Sequence, residues 1–233
     1  MAKLTDANGD RSFEFGNIAM VYEIRPHADR LNRMVELEYQ RSPTAQRSWM
    51  DYVRKEEPVA AESAPVLILS EHPKPLPDAF EIGSDFWCVS ARVRDLMQGL
   101  FGSQVGFYEV PVMVKESNAP LPSTNFVTFS QFCELIDWQK SKVQKRMPSR
   151  LFPDAEVIAL ADTPAAAVFK AMPTDQPMIW IERGLRNGNR LFSPGFKVYA
   201  TDAAAQAIGE AFPGAFLLRK QREDPSGTAA PKD

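Results

Sequence analysis

The alternation of apolar and polar residues is clearest in an early segment, residues 34–40, which reads "MVELEYQ". Aliphatic and aromatic residues there alternate with glutamate and glutamine, and a period of two is typical of a β-strand with one buried face. Glu36 and Glu38 then share the polar face. Two carboxylates at this spacing can serve acid–base chemistry, but we favour a solvated strand face.

A second pattern runs from a strand directly into a helix. Residues 86–101 read "FWCVSARVRDLMQGLF", a short apolar run followed by apolar residues at helical spacing. Cys88 and Ser90 are two potential nucleophiles near the junction. The segment therefore has two interpretations, the elbow of a hydrolase or a strand whose last residue caps the following helix.

The same succession recurs near the C-terminus, in "FKVYATDAAAQAIGEAFPGAFLLRK" from Phe196 onwards. The two stretches align without a gap when Ser90 is placed on Thr201, an offset of 111 residues. Val105 then falls on Phe216. Each copy reads strand, hydroxyl residue, amphipathic helix, glycine-bearing turn, strand, which predicts two similar strand-helix-strand units.

This recurrence favours the capping interpretation of Ser90. A hydroxyl at both junctions is what a helix N-cap needs, because it accepts a hydrogen bond from an unpaired N–H of the first turn. A nucleophile elbow needs flanking glycines, and none stands beside Ser90. The only histidines are His27 and His72, each beside a proline. We expect Cys88 to be a core residue, and we keep a hydrolase using Ser90 or Cys88 as the alternative.

Three further segments give local predictions. In "TPAAAVFKAM", Thr163 as N-cap and Pro164 at the first helical position predict a short helix. Residues 178–181 are rich in β-formers, and the Asn187-Gly188 pair downstream suits a tight hairpin turn. In "NFVTFSQFCELIDW" we predict a strand before Ser130 and leave the remainder open.

Composition and charge narrow the functional classes. The chain has 233 residues, 44% of them hydrophobic, and a net charge of −3, so neither nucleic acid nor an anionic membrane is an expected partner. The two cysteines, Cys88 and Cys133, are far apart in apolar sequence, which indicates free thiols in a reducing compartment. The polar first residues lack the apolar region of a secretory signal, and we expect a cytoplasmic protein.

One local charge excess, "WQKSKVQKRMPSR", carries Lys140, Lys142, Lys145, Arg146 and Arg150. Such a run can bind nucleic acid or an acidic protein, but in a net-acidic chain a solvated face is the better explanation. The sequence has no glycine-rich phosphate loop, no zinc-ligand spacing and no paired aspartates for magnesium. We therefore expect no cofactor, no metal and no catalytic residues.

Three segments resemble a family of bacterial immunity proteins associated with polymorphic toxin systems. Members typically carry a V-S-x-x-(hydrophobic)-(K/R)-x-L segment, an (I/L)-D-x-x-x-S segment and a closing F-(R/K)…(V/I)-(S/T)-(D/E) segment. The matching residues here are, in that order, Val89, Ser90 and Leu96, then Ile136, Asp137 and Ser141, then Phe196, Thr201 and Asp202. The resemblance covers roughly residues 80 to 220 and leaves the first 80 residues unmatched.

The resemblance implies a small bacterial cytoplasmic protein that binds and blocks a cognate toxin encoded nearby, without catalysis. It leaves the partner-binding residues unknown. Trp49, Trp180 and the arginines of "ERGLRNGNR" are residue types favoured at interface hot spots, although the same types also serve cores and hairpins. A small-molecule or nucleic-acid binding module using the basic run is the third alternative.

The expected fold class is α+β, a mixed sheet with two similar strand-helix-strand units packed with short helices. The expected organisation is a flexible N-terminus (1–17), a β-containing N-terminal segment (18–80), an immunity-like α+β core (81–220) and a flexible tail (221–233).

Overall fold

The computed structural model describes residues 20–27, 35–38, 66–70, 76–82, 86–115, 120–147, 154–163, 165–170, 176–195 and 197–223. For residues 35–38, 66, 86, 222 and 223 it describes the backbone alone. The expected mobile ends lie outside these ranges except for residues 221–223. Trp49, His72, Arg150 and Phe196 also lie outside the described residues.

Strands dominate the described residues, and two α-helices accompany them. The helices are α1 (Ala91–Phe101) and α2 (Asp202–Ala211). The strands are β1 (Val21–Pro26), β2 (Val35–Glu38), β3 (Val66–Leu69), β4 (Ala79–Ile82), β5 (Phe86–Val89), β6 (Val105–Val114), β7 (Pro120–Phe129), β8 (Phe132–Cys133), β9 (Val143–Arg146), β10 (Glu156–Leu160), β11 (Val168–Phe169), β12 (Ile179–Glu182), β13 (Leu185–Asn187), β14 (Arg190–Ser193), β15 (Val198–Thr201), β16 (Phe216–Lys220) and β17 (Arg222–Glu223). The fold is mainly β and broadly compatible with the α+β expectation.

The strands form four sheets in the part of the chain that the structure describes. A six-stranded sheet has the order β2-β3-β6-β7-β5-β4, and a five-stranded sheet has the order β16-β1-β15-β12-β8. A four-stranded sheet, β13-β14-β10-β9, and the pair β11-β17 complete the set. The three larger sheets are mixed, because each contains one parallel pair among antiparallel ones.

Helix α1 connects two strands of the six-stranded sheet. Ser90 is its N-cap, and Gly102 ends it with a φ of 53°, a left-handed conformation that glycine adopts without strain. Val93, Met97 and Phe101, spaced four residues apart, are its buried residues. The connected strands β5 and β6 are not neighbours, because β7 lies antiparallel between them.

Helix α2 connects two strands of the five-stranded sheet in the same manner. It follows β15 and precedes β16, and β1 lies antiparallel between those two strands. Ala204, Ala205 and Ile208 are its buried residues. The N-terminal strand β1 is therefore an interior strand of a sheet whose other members come from the second half of the chain.

The main hydrophobic core lies between the two larger sheets. Both helices contribute to it, together with residues from β5, β7, β12 and β15. A further cluster around Trp180 and Tyr199 covers the opposite face of the five-stranded sheet. All four residues of β12 and of β15 are buried, because apolar clusters cover both faces of these strands.

Several predicted elements are confirmed. The strand predicted within residues 34–40 is present as β2, and the strand before Ser130 is β7. A tight hairpin joins β13 to β14 as predicted, but its two-residue loop is Gly188-Asn189, one position later than the predicted pair, because Asn187 still pairs with Arg190; Gly188 has a φ of 58°.

The helix predicted from Thr163 is wrong. Ala165 has a positive φ of 51°, and Val168–Phe169 form the short strand β11, paired in parallel with β17. Ala166, Ala167 and Phe169 are buried against the Trp180 cluster. Burial against the sheet therefore overrides the local helix signal of this alanine-rich segment.

No helix among the described residues is both long and apolar enough to cross a membrane.

Candidate functional site

At the junction between β5 and α1, hydrogen bonds from both the side chain and the backbone hold Ser90 in place. Its hydroxyl donates to Oδ1 of Asp78 at 2.7 Å and accepts from the N–H of Val93 at 3.4 Å. Its own N–H donates to the carbonyl of Asp78 at 2.8 Å. Ser90 thus caps α1, as predicted, and also ties the helix start to the residue before β4.

The two candidate nucleophiles, Cys88 and Ser90, differ in their burial. Cys88 is fully buried, and burial raises the pKa of its thiol well above the ordinary value, which disfavours the reactive thiolate. Ser90 is only half-buried. His27 is exposed, and its Nδ1 lies 3.1 Å from the carbonyl oxygen of Gly214. The structure thus places Asp78, not His27, in hydrogen-bond contact with Ser90.

Thr201 stands at the N-cap of α2, with nearly the same backbone angles as Ser90. Its hydroxyl makes no bond to the helix, so the expectation that it caps a first-turn N–H is wrong. Instead the hydroxyl accepts from the N–H of Met178 and donates to the carbonyl of Gln176, both at 3.0 Å. The N–H of Thr201 donates to the carbonyl of Met178. Thr201 therefore holds the start of β12 against the end of β15.

Glu182 is a buried carboxylate that was not predicted from the sequence. It is 4% exposed at the end of β12 and accepts three hydrogen bonds. Oε2 accepts from the N–H of Leu135 at 2.9 Å and of Ile136 at 3.2 Å, and Oε1 accepts from Nε1 of Trp180 at 2.7 Å. A charged residue ending the apolar run "MIWIE" was the available signal.

The environment of Glu182 raises its pKa. Burial is the largest cause and outweighs the opposing effects of the three hydrogen bonds and of Lys170. Cys133, on β8, is the cross-strand partner of Glu182 and is partly exposed. The pKa of its thiol is also raised, mainly through burial. Because Glu182 accepts hydrogen bonds from the backbone N–H groups of Leu135 and Ile136, we assign it to holding these two residues against the five-stranded sheet.

The basic run is largely paired with acidic side chains. Lys145 forms an ion pair with Glu156, which also pairs with Arg190 at 2.9 Å. Arg146 contacts Asp162 at 2.7 Å. Hydrogen bonds from Lys145 and then Arg190 lower the pKa of Glu156. The positive charge of β9 is therefore partly neutralised, which weakens the case for a nucleic-acid surface.

The aromatic and arginine hot-spot candidates do not form one exposed patch. Trp180 is fully buried and packs on Phe169 and Tyr199. The guanidinium of Arg183 lies 5.7 Å from the ring centre of Phe132. Trp180 thus belongs to the core.

A cleft of about 380 Å³ opens between α2 and strands β1 and β16. We call it the α2 cleft. Its lining residues are Tyr22, Asp202, Ala205, Gln206, Gly209, Glu210 and Leu218. Tyr22 hydrogen-bonds to the carboxylate of Asp202; burial first, and then the charge of Asp202 and this bond, raise the pKa of Tyr22. This cleft was not predicted from the sequence, because its strand β1 is remote in sequence from α2.

No protein-family model matches the chain, and no curated protein sequence matches it significantly.

Proposed function

We propose that this chain is a bacterial immunity protein that neutralises a cognate toxin by direct protein–protein binding in the cytoplasm. The three segments that resemble such proteins support the proposal. The observation that carries it is the placement of four of their polar residues, Ser90, Asp137, Ser141 and Thr201, each of which fastens a turn or a junction of the fold.

The first segment contains Ser90, which fastens the start of α1, and the third contains Thr201, which fastens the start of β12 to the end of β15. The middle segment is fastened in the same way. The hydroxyl of Ser141 donates to the carbonyl of Asp137 at 2.6 Å and accepts from the N–H of Val168 at 2.9 Å. Oδ1 of Asp137 accepts from the N–H groups of Gln139 and Lys140. The resemblance thus concerns residues that determine architecture, and it leaves the outer surface free to fit a particular toxin.

We also infer that the two strand-helix-strand segments are copies of one unit. In the first, a row of cross-strand partners joins Phe107, Val127 and Trp87. The corresponding row of the second is Leu218, Ile24 and Val198. Phe107 and Leu218 are 111 positions apart, and so are Trp87 and Val198. Each of the two strand pairings therefore independently makes Ile24 the equivalent of Val127. Superposing residues 86–108 on 197–219 in an experimental structure tests this inference, and a mismatch of the helix starts refutes it.

The central strand of each unit comes from a different part of the chain. In the first unit the central strand is β7, which follows β6 directly. In the second unit the central strand is β1, which precedes β15, α2 and β16 by most of the chain length. The second unit is thus a circular permutation of the first. The permutation explains why β1 lies inside the five-stranded sheet, whose other strands all come from the second half of the chain.

The functional test is co-expression with the toxin domain encoded beside the gene. We expect growth to be rescued, and the purified components to form a stable complex that buries roughly 1,200 to 2,000 Å². Because binding occludes the toxin, inhibition should reach its endpoint at a fixed molar ratio. Catalytic amounts sufficing for inhibition, or the absence of both rescue and binding, would refute the proposal. A toxin domain from an unrelated locus serves as the control.

A further inference from the structure

Two of the residues that line the α2 cleft, Ala205 and Gly209, are small. By the 111-residue offset, Ala205 and Gly209 of α2 correspond to Arg94 and Gln98 of α1. Long polar side chains therefore occupy, in the first unit, the positions that Ala205 and Gly209 leave open in the second. Because the first unit has the same order of strands and helix with long side chains at these positions, the cleft is a property of the second unit.

The charge of the cleft is concentrated at its two ends. Asp202 is the first residue of α2 and Glu210 lies in its last turn. Eight residues of helix separate their Cα atoms by about 12 Å. Between them, Gly209 and Leu218 supply the partly exposed apolar surface, and the buried Ala205 lies at the base of the cleft.

Neither carboxylate is neutralised within the described ranges. Asp202 is hydrogen-bonded to Tyr22, and Glu210 accepts from the amide of Gln206 at 2.9 Å. No lysine, arginine or histidine of those ranges forms an ion pair with either of them. Lys220 is the cross-strand partner of Tyr22 and is not a lining residue.

The helix dipole explains only one of the two charges. A carboxylate in the first turn, such as Asp202, is stabilised by the partial positive charge of the helix N-terminus. Glu210 lies at the opposite end, where a carboxylate is unfavourable and α2 has no basic residue in its last turn. Glu210 is therefore an exposed carboxylate that the helix dipole does not stabilise, and it is available to a cation outside the helix.

We propose that the α2 cleft binds a basic segment of the toxin, with two cationic side chains flanking an apolar one. This inference rests on the proposed function and specifies the contact surface. In an extended segment, residues four apart are about 13 Å apart, which matches the spacing of Asp202 and Glu210. Arginine suits both ends, because its planar guanidinium pairs with carboxylates and stacks on aromatic rings such as that of Tyr22.

The first test uses the full chain and a defined probe, the peptide acetyl-Arg-Ala-Leu-Ala-Arg-amide, followed by amide NMR. We expect saturable shifts at the backbone amides of Ala205, Gly209 and Leu218, weakened by added salt. The same peptide with citrulline in place of arginine keeps the shape without the charge. Equal shifts with both peptides, or shifts confined to other surfaces, would overturn the inference.

Variants then assign the contact. Asp202→Asn and Glu210→Gln should each weaken peptide binding by about two- to fivefold, the range of one exposed ion pair. Asp95→Asn, on the exposed face of α1, is the matched control and should leave binding unchanged. If the cleft variants bind as tightly as the unaltered chain, the inference is wrong.

Filling the cleft gives a second, charge-neutral variant. Gly209→Gln introduces the residue found at the corresponding position of α1, and its Cβ meets only the flexible end of Leu218, at 3.1 Å. We expect a folded protein that no longer binds the peptide. Gly99→Gln, where nothing lies within 4 Å of the added Cβ atom, controls for the gain in helix propensity.

The neighbouring toxin domain separates the two proposals. If it binds the unaltered chain and Gly209→Gln equally well, the cleft inference fails and the immunity function stands. If it binds the unaltered chain at least tenfold more tightly, both are supported. If the toxin does not bind at all while the peptide does, the immunity function fails, and with it the assignment of the cleft to a toxin.

Discussion

Glu182 provides a quantitative test of how the fold is held together. Replacing it with alanine removes the acceptor for three N–H groups, those of Leu135, Ile136 and the indole of Trp180. Water can reach the partly buried N–H of Leu135, whereas the bonds to Ile136 and Trp180 are buried. Two buried donors without acceptors cost about 1–3 kcal/mol each. Glu182→Ala should therefore lower the free energy of unfolding by about 2–6 kcal/mol.

The assay is urea unfolding followed by circular dichroism and tryptophan fluorescence, with coincidence of the two curves as the test of two-state behaviour. The loss is large compared with a total stability of about 5–15 kcal/mol, so Glu182→Ala should unfold at much lower urea concentration. Glu134→Ala, an exposed glutamate nearby, is the control. A change below about 1 kcal/mol for Glu182→Ala would refute the assignment of those hydrogen bonds.

The pH dependence tests the same residue independently. Because burial raises the pKa of Glu182 in the folded state, the folded protein binds its proton more tightly than the unfolded chain does. Its contribution to stability is therefore complete below the unfolded pKa of about 4.3 and declines as pH rises through the folded pKa. Relative to Glu182→Gln, which does not titrate, the unaltered protein should lose stability across that window. If the stability of the unaltered protein instead rose with pH relative to that of Glu182→Gln, the raised pKa would be contradicted.

The remaining predictions concern the junctions and the thiols. Ser90→Ala should cost about 0.5–2 kcal/mol in the free energy of unfolding, with toxin neutralisation intact below the melting temperature; loss of activity without loss of stability would favour the hydrolase alternative. Thr201→Val should cost about 1–3 kcal/mol, because the N–H of Met178 loses its acceptor, whereas Thr201→Ser should stay close to the unaltered protein by the same urea assay. In the native protein, a disulfide reagent followed by mass spectrometry should modify Cys133 and leave Cys88 unmodified until denaturant is added; early modification of Cys88 would show that its burial is not persistent.

Local features were predictable wherever one short segment carries the whole signal. The cap at Ser90 and the hairpin at Gly188 depend on a few adjacent residues, and the structure contains both, the hairpin loop one position later than predicted. The helix predicted at Thr163 failed because burial against Trp180 and Tyr199 determines that segment, and those residues lie outside any local window.

The candidate site was less predictable, because its parts come from distant segments. Thr201 was expected to bond to its own helix, but β12 brings Gln176 and Met178 within reach of its hydroxyl. Likewise, the α2 cleft exists only because β1 joins β16, a pairing that no periodicity in the sequence indicates.

The interior position of β1 has a consequence for the order of events during synthesis. Val21 pairs with Thr201, 180 positions later in the chain, and Tyr22 pairs with Lys220. The N-terminal strand therefore emerges from the ribosome long before either of its ladder partners exists, and its unpaired edges are exposed in the interval. Contacts of such long sequence separation are associated with slow folding and with a risk of aggregation. The five-stranded sheet can therefore close only after translation has passed residue 220.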